Sequence, residues 1–464
     1  MNQQNSKTYY TKVASPDLDN SGIPVAITDQ TIIERKDKIL ALMKQKGIDS
    51  LVVYGDLEHG SNFEYLAGFL PRFEEAMLVL HKDGNAYLLL GNENANKAKF
   101  SRIPATGIHV PFFSLPNQPM ENEKPIHMVY EEAGIQKNTV IGVAGWKLFT
   151  SSREDNAQLY DIPYYLLEGL KKISQQLINC TDFFIDSEYG ARATNNANEI
   201  AHYEFGASLA SDAMLQAMDR IEIGTTEMEL GNVLNQYGQR NSVVTIAAAG
   251  QRFIKANIYP TDKKISLQDP LALTVGYKGG LSSRVGYVVH ETEELPKEKQ
   301  EYLPGLVSPY FKAIVTWLEN AHCGMSGSDL YNLIDKVLPK KDYHWTLCPG
   351  HLTSDEEWMS SPIYEGSNKS LQSGMIFQTD IIPSIPELGG VSAESTVALA
   401  DNQLKESIQL AYPELWQRIQ KRRDYIKNEL NINIHEDLLP MASTLAYLRP
   451  YFLNKEFAMR NSEE

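Results

Sequence analysis

Asp269-Pro-Leu-Ala-Leu-Thr-Val-Gly-Tyr-Lys-Gly-Gly-Leu-Ser-Ser-Arg284 lies in a strand pair spanning 269–289, and no acidic side chain occurs between Asp269 and Glu291. Strand candidates at 271–277 and 284–289 make up the pair, and another at 242–249 precedes it. Upstream, residues 196–220 form a long amphipathic helix, with Ile200, Tyr203, Ala207, Leu209 and Met214 as its apolar stripe. Gly224-Thr-Thr-Glu227 supplies a turn glycine, a hydroxyl cap and an acid in the first turn, the pattern of a helix start. Downstream come a helix at 299–321 and strands at 375–382 and 391–399. Helices grouped beside antiparallel-type strands predict an α+β domain for this half.

The other half reads differently. Residues 1–30 are polar and weakly periodic, an extended arm. Thr31–Lys46 has helical spacing and stops at Gly47. Short apolar strands follow at Ser50–Tyr54, Ala76–His81, Ala86–Leu90 and Val140–Ala144, alternating with helical segments, which is an α/β pattern. The expected layout is an arm at 1–30, an α/β domain at 31–185, an α+β domain at 186–402 and a helical C-terminal extension at 403–464.

Composition narrows the function classes. The apolar share of 42% and aromatic share of 9% are those of a folded chain, which excludes a disordered acidic tail. Basic and acidic side chains number 43 and 59, and 43 − 59 = −16, so nucleic acid is not an expected partner. Cys180, Cys323 and Cys348 are too scattered for a disulfide framework or a structural zinc site. His322 and His344 have no zinc-like spacing to them, and Ser282-Ser283 lacks the context of a serine nucleophile. The first thirty residues show no export signal, and no apolar run reaches the ~20 residues of a membrane span. A cytoplasmic protein without membrane contact is expected.

Several landmarks occur in a fixed order. Arg35 to Gly68 runs through Gly47-Ile-Asp49 to Tyr65-Leu-Ala-Gly-Phe69. Arg192…Glu199-Ile200, Gly224-Thr-Thr-Glu-Met-Glu-Leu230, Pro349-Gly-His351, Gly374-Met-Ile-Phe-Gln-Thr-Asp380 and Ala393-Glu394 follow. Together they resemble the creatinase / aminopeptidase P / prolidase / methionine aminopeptidase family over nearly the whole chain. The resemblance implies an α/β N-terminal domain and a C-terminal domain of the pita-bread fold.

Family peptidases hold two divalent metals with two Asp, one His and two Glu. Two such ions ~3.5 Å apart need several carboxylates to offset and bridge their charge. By the resemblance, Thr274 stands where the first Asp belongs, and the second belongs within Gly279–Arg284, so both aspartates are missing. His351 matches the ligand His, Asp380 replaces the first ligand Glu, and Glu394 matches the last. Asn257 takes the place of the substrate-side His, and the second family His falls near Glu357-Trp358. The acidic run Asp355–Glu357 reads as a solvated loop.

The expected catalytic set is therefore His351, Asp380 and Glu394, with Arg284, Asn257 and Thr274 binding substrate, and with no metal or cofactor. The trio is open to two other readings: a polar remnant that preserves the fold, or the minimum set for one divalent ion. The leading expectation is a metal-independent hydrolase of a C–N bond in a small peptide-like or guanidino substrate, with His351 moving protons and Arg284 gripping a carboxylate. The alternatives are an inactive pseudo-peptidase that binds peptides or small molecules, and an Xaa-Pro dipeptidase or aminopeptidase with an altered metal site. The resemblance also implies a homodimer or higher homo-oligomer.

Overall fold

Continuous apolar runs bounded by Gly and Asp turns form strands buried on both faces. In the computed structural model, which describes residues 8–19 and 22–462, such runs build the sheet of one of two units, residues 27–193. The chain's first strand, β1 (Thr8–Lys12), belongs to the other unit. Within 27–193, β2 (Ser50–Gly55), β3 (Ala76–His81), β4 (Ala86–Leu90), β5 (Thr106–His109), β6 (Ile141–Ala144) and β7 (Leu177–Asn179) pair in the order β5-β4-β3-β2-β6-β7. The pairs β2–β6, β6–β7 and β4–β5 are parallel, whereas β3 is antiparallel to both its neighbours. The helix Asp29–Lys46 starts on Thr28, whose side chain accepts from the Thr31 N–H, and ends at Gly47 with φ of 70°. Val52, Met77, Val79, Leu89, Val143, Leu166 and Leu170 lie in one apolar core.

The second unit comprises residues up to Ala26 together with 194–464. Its elements include β8 (Ile246–Ala249), β9 (Pro270–Tyr277), β10 (Gly280–Tyr287), β11 (His351–Leu352), β12 (Ile376–Gln378) and the small hairpin β13 (Ser384–Ile385) and β14 (Gly389–Gly390). They continue with β15 (Ser392–Glu394), β16 (Thr396–Leu399), β17 (Leu438–Pro440) and β18 (Phe457–Asn461). Two four-stranded antiparallel sheets result, ordered β15-β10-β9-β8 and β11-β12-β16-β17. The long helix Ala197–Arg220, started by a reciprocal Asn196/Glu199 capping box, packs on β9 and β10. Glycine permits that approach: a Cβ on Gly206 would meet the Lys278 carbonyl oxygen at 1.9 Å.

The strand expected at 391–399 is two strands. The chain leaves one sheet and joins the other at Ser395, whose carbonyl accepts from the Thr379 N–H at 3.0 Å. That crossing sets Glu394 and Asp380 close to one another. The helix expected at 299–321 is regular only over Ser308–Asn320, after a wider turn at Leu303–Val307. The separate arm and separate C-terminal extension are also replaced: β1 pairs antiparallel with β18, and β17 completes the second sheet. The described residues up to Ala26 and those of the C-terminal segment therefore lie in the unit that carries the site, whereas residues 27–30 lie in the other. No helix among the described residues is long and apolar enough to cross a membrane.

Candidate active site

Strand register builds the site. Thr274 pairs with Ser283, and Ser283 pairs with Glu394, so the three stand in one row across β9, β10 and β15. Residues opposite one another in adjacent strands share a face. The Thr274 and Ser283 hydroxyls accordingly lie 2.8 Å apart. On the second sheet, β11 begins at His351, which pairs with Gln378 of β12, and Asp380 follows two residues beyond that strand. Trp317 Nε1 donates to the Pro349 carbonyl at 2.9 Å and anchors the turn into His351.

His351, Asp380 and Glu394 are all buried, and each offers a ligand atom within 4.8 Å of the others. His351 Nε2 lies 3.6 Å from Asp380 Oδ2 and 3.0 Å from Glu357 Oε1, near in distance but out of hydrogen-bond alignment. Asp380 Oδ1 and Glu394 Oε1 are likewise buried without a hydrogen-bond partner. Burial by itself would lower the His351 pKa, but Asp380 and Glu357 outweigh it and raise it to about 10. Burial, with repulsion from Glu357, raises Asp380. Burial, then repulsion from Asp380 and Glu357, holds Glu394 well above the usual carboxylate range. Burial and mutual repulsion thus both favour the protonated forms of the two carboxyls, because several acids share one buried space.

Arg284 is a correction to the expected anion anchor. It follows Ser283 and so points to the opposite face of β10. Its Nε donates to the Tyr447 carbonyl, one terminal nitrogen to the Ser283 and Glu394 carbonyls, and the other to Ser395 Oγ and the Thr444 carbonyl. All five guanidinium donors are thus consumed, and none is left for a substrate carboxylate. Asn257 is exposed in a turn closed by its own N–H donating to the Arg252 carbonyl at 2.9 Å.

Glu357 and Trp358 join the site although the acidic run reads as a solvated loop. Trp358 stacks on the His351 ring, with centroids 3.9 Å apart and planes at 23°. The signal for them was the register that puts Glu357-Trp358 at the second family His.

Three buried, unsatisfied donors, one imidazole nitrogen and two carboxylate oxygens, suit a single divalent ion. Thr274 and Ser283, in the row shared with Glu394, add two neutral hydroxyls bonded to each other and no further charge. Fold and site together define a hydrolase framework of the pita-bread type.

Residues 202–401 match the model for metallopeptidase family M24, and residues 35–143 match the creatinase/prolidase N-terminal domain. The chain belongs to the creatinase / aminopeptidase P / prolidase pita-bread family. It is 23% identical over 392 residues to an Xaa-Pro dipeptidase of Pyrococcus furiosus, covering 80% of this chain and 97% of that protein. A prolidase from Thermococcus sibiricus superposes with a TM-score of 0.62 at 18% identity, over 81% of this chain and 95% of the other. The N-terminal domain of FACT complex subunit SPT16 from Cicer arietinum gives 0.56 at 14% identity, over 81% and 95%.

Proposed function

We propose that the chain is a peptidase of the Xaa-Pro dipeptidase type, acting on a short peptide at a centre reduced to one divalent cation. The observation that carries this reading is the buried set of unsatisfied donors on His351, Asp380 and Glu394. An ion held there would supply a Lewis acid and an activated water. To bind it, His351 must give up its proton, and Glu357 Oε1, 3.0 Å from Nε2 with its side chain 20% exposed, is placed to carry that proton toward solvent. Trp358 covers one face of the imidazole and keeps water from it. Thr274 and Ser283 offer hydroxyls on the face shared with Glu394 and orient the substrate amide.

A metal-independent hydrolase with His351 as general base is less well supported, because a group titrating near pH 10 is already protonated at neutral pH. The Thr274–Ser283 hydroxyl pair, which offers a cation no charge, does favour a second reading, a cleft that binds short peptides without cleaving them. Mn2+ titration of the chelator-treated protein, followed by assay with Xaa-Pro dipeptides, separates the two. The first reading expects one bound equivalent and slow cleavage lost in His351→Ala. Dipeptide binding with no cleavage at saturating metal would favour the second.

A further inference from the structure

Three protein donors leave a divalent ion short of its usual complement of four to six. The loop after His351 is built to present one more. Leu352 N–H donates to the Ser360 carbonyl at 2.8 Å, and Met359 N–H donates back to Leu352 at 3.0 Å, closing the loop at its base. Inside it, Ser354 N–H and Thr353 Oγ1 both reach the Glu356 carbonyl at 3.1 Å and form a tight turn. The turn is pinned from outside: Lys278 Nζ lies 2.7 Å from Asp355, the Tyr203 hydroxyl donates to Asp355 at 3.0 Å, and Gly279 N–H donates to the Ser354 carbonyl at 2.6 Å. The hairpin tip of β9–β10 thus holds the loop, and Glu357 and Trp358 are delivered to His351 in one fixed approach. Trp358 sets the plane of the imidazole, and Glu357 stands at its Nε2 edge.

We propose that Glu357 is a fourth, loop-borne donor to the cation of this centre. The distance has a simple meaning. Two donors each ~2.1 Å from one ion, at roughly a right angle, stand about 3.0 Å apart. Glu357 Oε1 and His351 Nε2 are 3.0 Å apart without the alignment of a hydrogen bond. Glu357 lies outside the triangle of His351, Asp380 and Glu394, and its three side-chain torsions let it turn in. It is also the most exposed of the four carboxylate and imidazole groups, which suits a donor that meets the hydrated ion first. Three carboxylates and one imidazole make an oxygen-rich set, suited to Mn2+ more than to soft thiophilic ions.

The assignment rests on the single-cation reading above, and one experiment distinguishes failure of either. Mn2+ binding to the full-length, chelator-treated protein is measured by calorimetry and by electron paramagnetic resonance of the free ion. Wild type, Glu357→Gln and the charge control Glu365→Gln are compared, with melting curves to confirm folding. We expect one Mn2+ in the wild type, affinity about tenfold weaker or worse in Glu357→Gln, and no change in Glu365→Gln. One Mn2+ bound equally tightly by wild type and Glu357→Gln overturns the assignment and leaves the single-cation reading standing. No Mn2+ bound by the wild type overturns both. If Glu357→Gln melts early, Glu357→Asp replaces it: the carboxylate is kept but drawn back by one methylene, and undiminished affinity there again counts against direct ligation.

Discussion

A shift of one residue along β10 decides what Ser283 and Arg284 do. Ser283 faces Thr274 and Glu394, whereas Arg284 faces away into a nest of four carbonyls and a hydroxyl. Burial lowers the Arg284 pKa to about 10, still far enough above neutrality for the side chain to stay charged. Arg284→Met should therefore cost about 3 kcal/mol or more in urea denaturation, because it strands buried acceptors. A loss under about 1 kcal/mol would show that those bonds contribute little. Arg284→Lys should not restore stability, since an ammonium has three donors for five acceptors. The grouping of His351, Asp380 and Glu394 was legible in the sequence. The orientation of Arg284 was not, because an alignment uncertain by up to two residues includes the one-residue shift that turns a strand side chain to the other face.

Among the elements, a buried ion network joins the long helix Ala197–Arg220 to the helix Pro413–Asn428. Glu204 accepts from Arg418 at 3.1 and 2.7 Å and from Arg422 at 2.5 Å, and Arg422 also reaches Asp19 at 2.7 Å. Burial pushes the Glu204 carboxyl up, but Arg422 and Arg418 more than reverse that, so it titrates below its ordinary value. Its stabilising effect is thus fully present above the unfolded carboxyl pKa, near ~4.3, and is lost as pH falls through the depressed folded value. Glu204→Gln should destabilise the protein by about 3 kcal/mol at neutral pH, and the gap to wild type should close in acid. A gap independent of pH would contradict this role. The first helix was readable from its apolar spacing and the second only as part of a helical extension, whose basic Arg422 and Arg423 turn out to be buried. Arg422 is held inside by Glu204 and Asp19, acids distant in sequence, and Arg423 donates to the Ile434, His435 and Leu438 carbonyls.

At the scale of the whole chain, the two halves and their fold were readable, since the landmarks from Arg35 to Glu394 keep the family's order. The pairing of β1 with β18 and the place of β17 were not, because a strand's partner elsewhere in the chain leaves no local trace. The same holds for Glu357: its acidic neighbours look solvated until the hairpin tip is seen to pull the loop onto His351. What remains specific to this chain is electrostatic. Two neutral hydroxyls, on Thr274 and Ser283, lie in one row with Glu394, and the buried His351, Asp380 and Glu394 offer a donor set that suits one ion. Metal stoichiometry of the purified, Mn2+-saturated protein is the most direct measurement. One equivalent, falling to none in His351→Ala, is expected; two tightly bound equivalents in the wild type would contradict a centre built for a single cation.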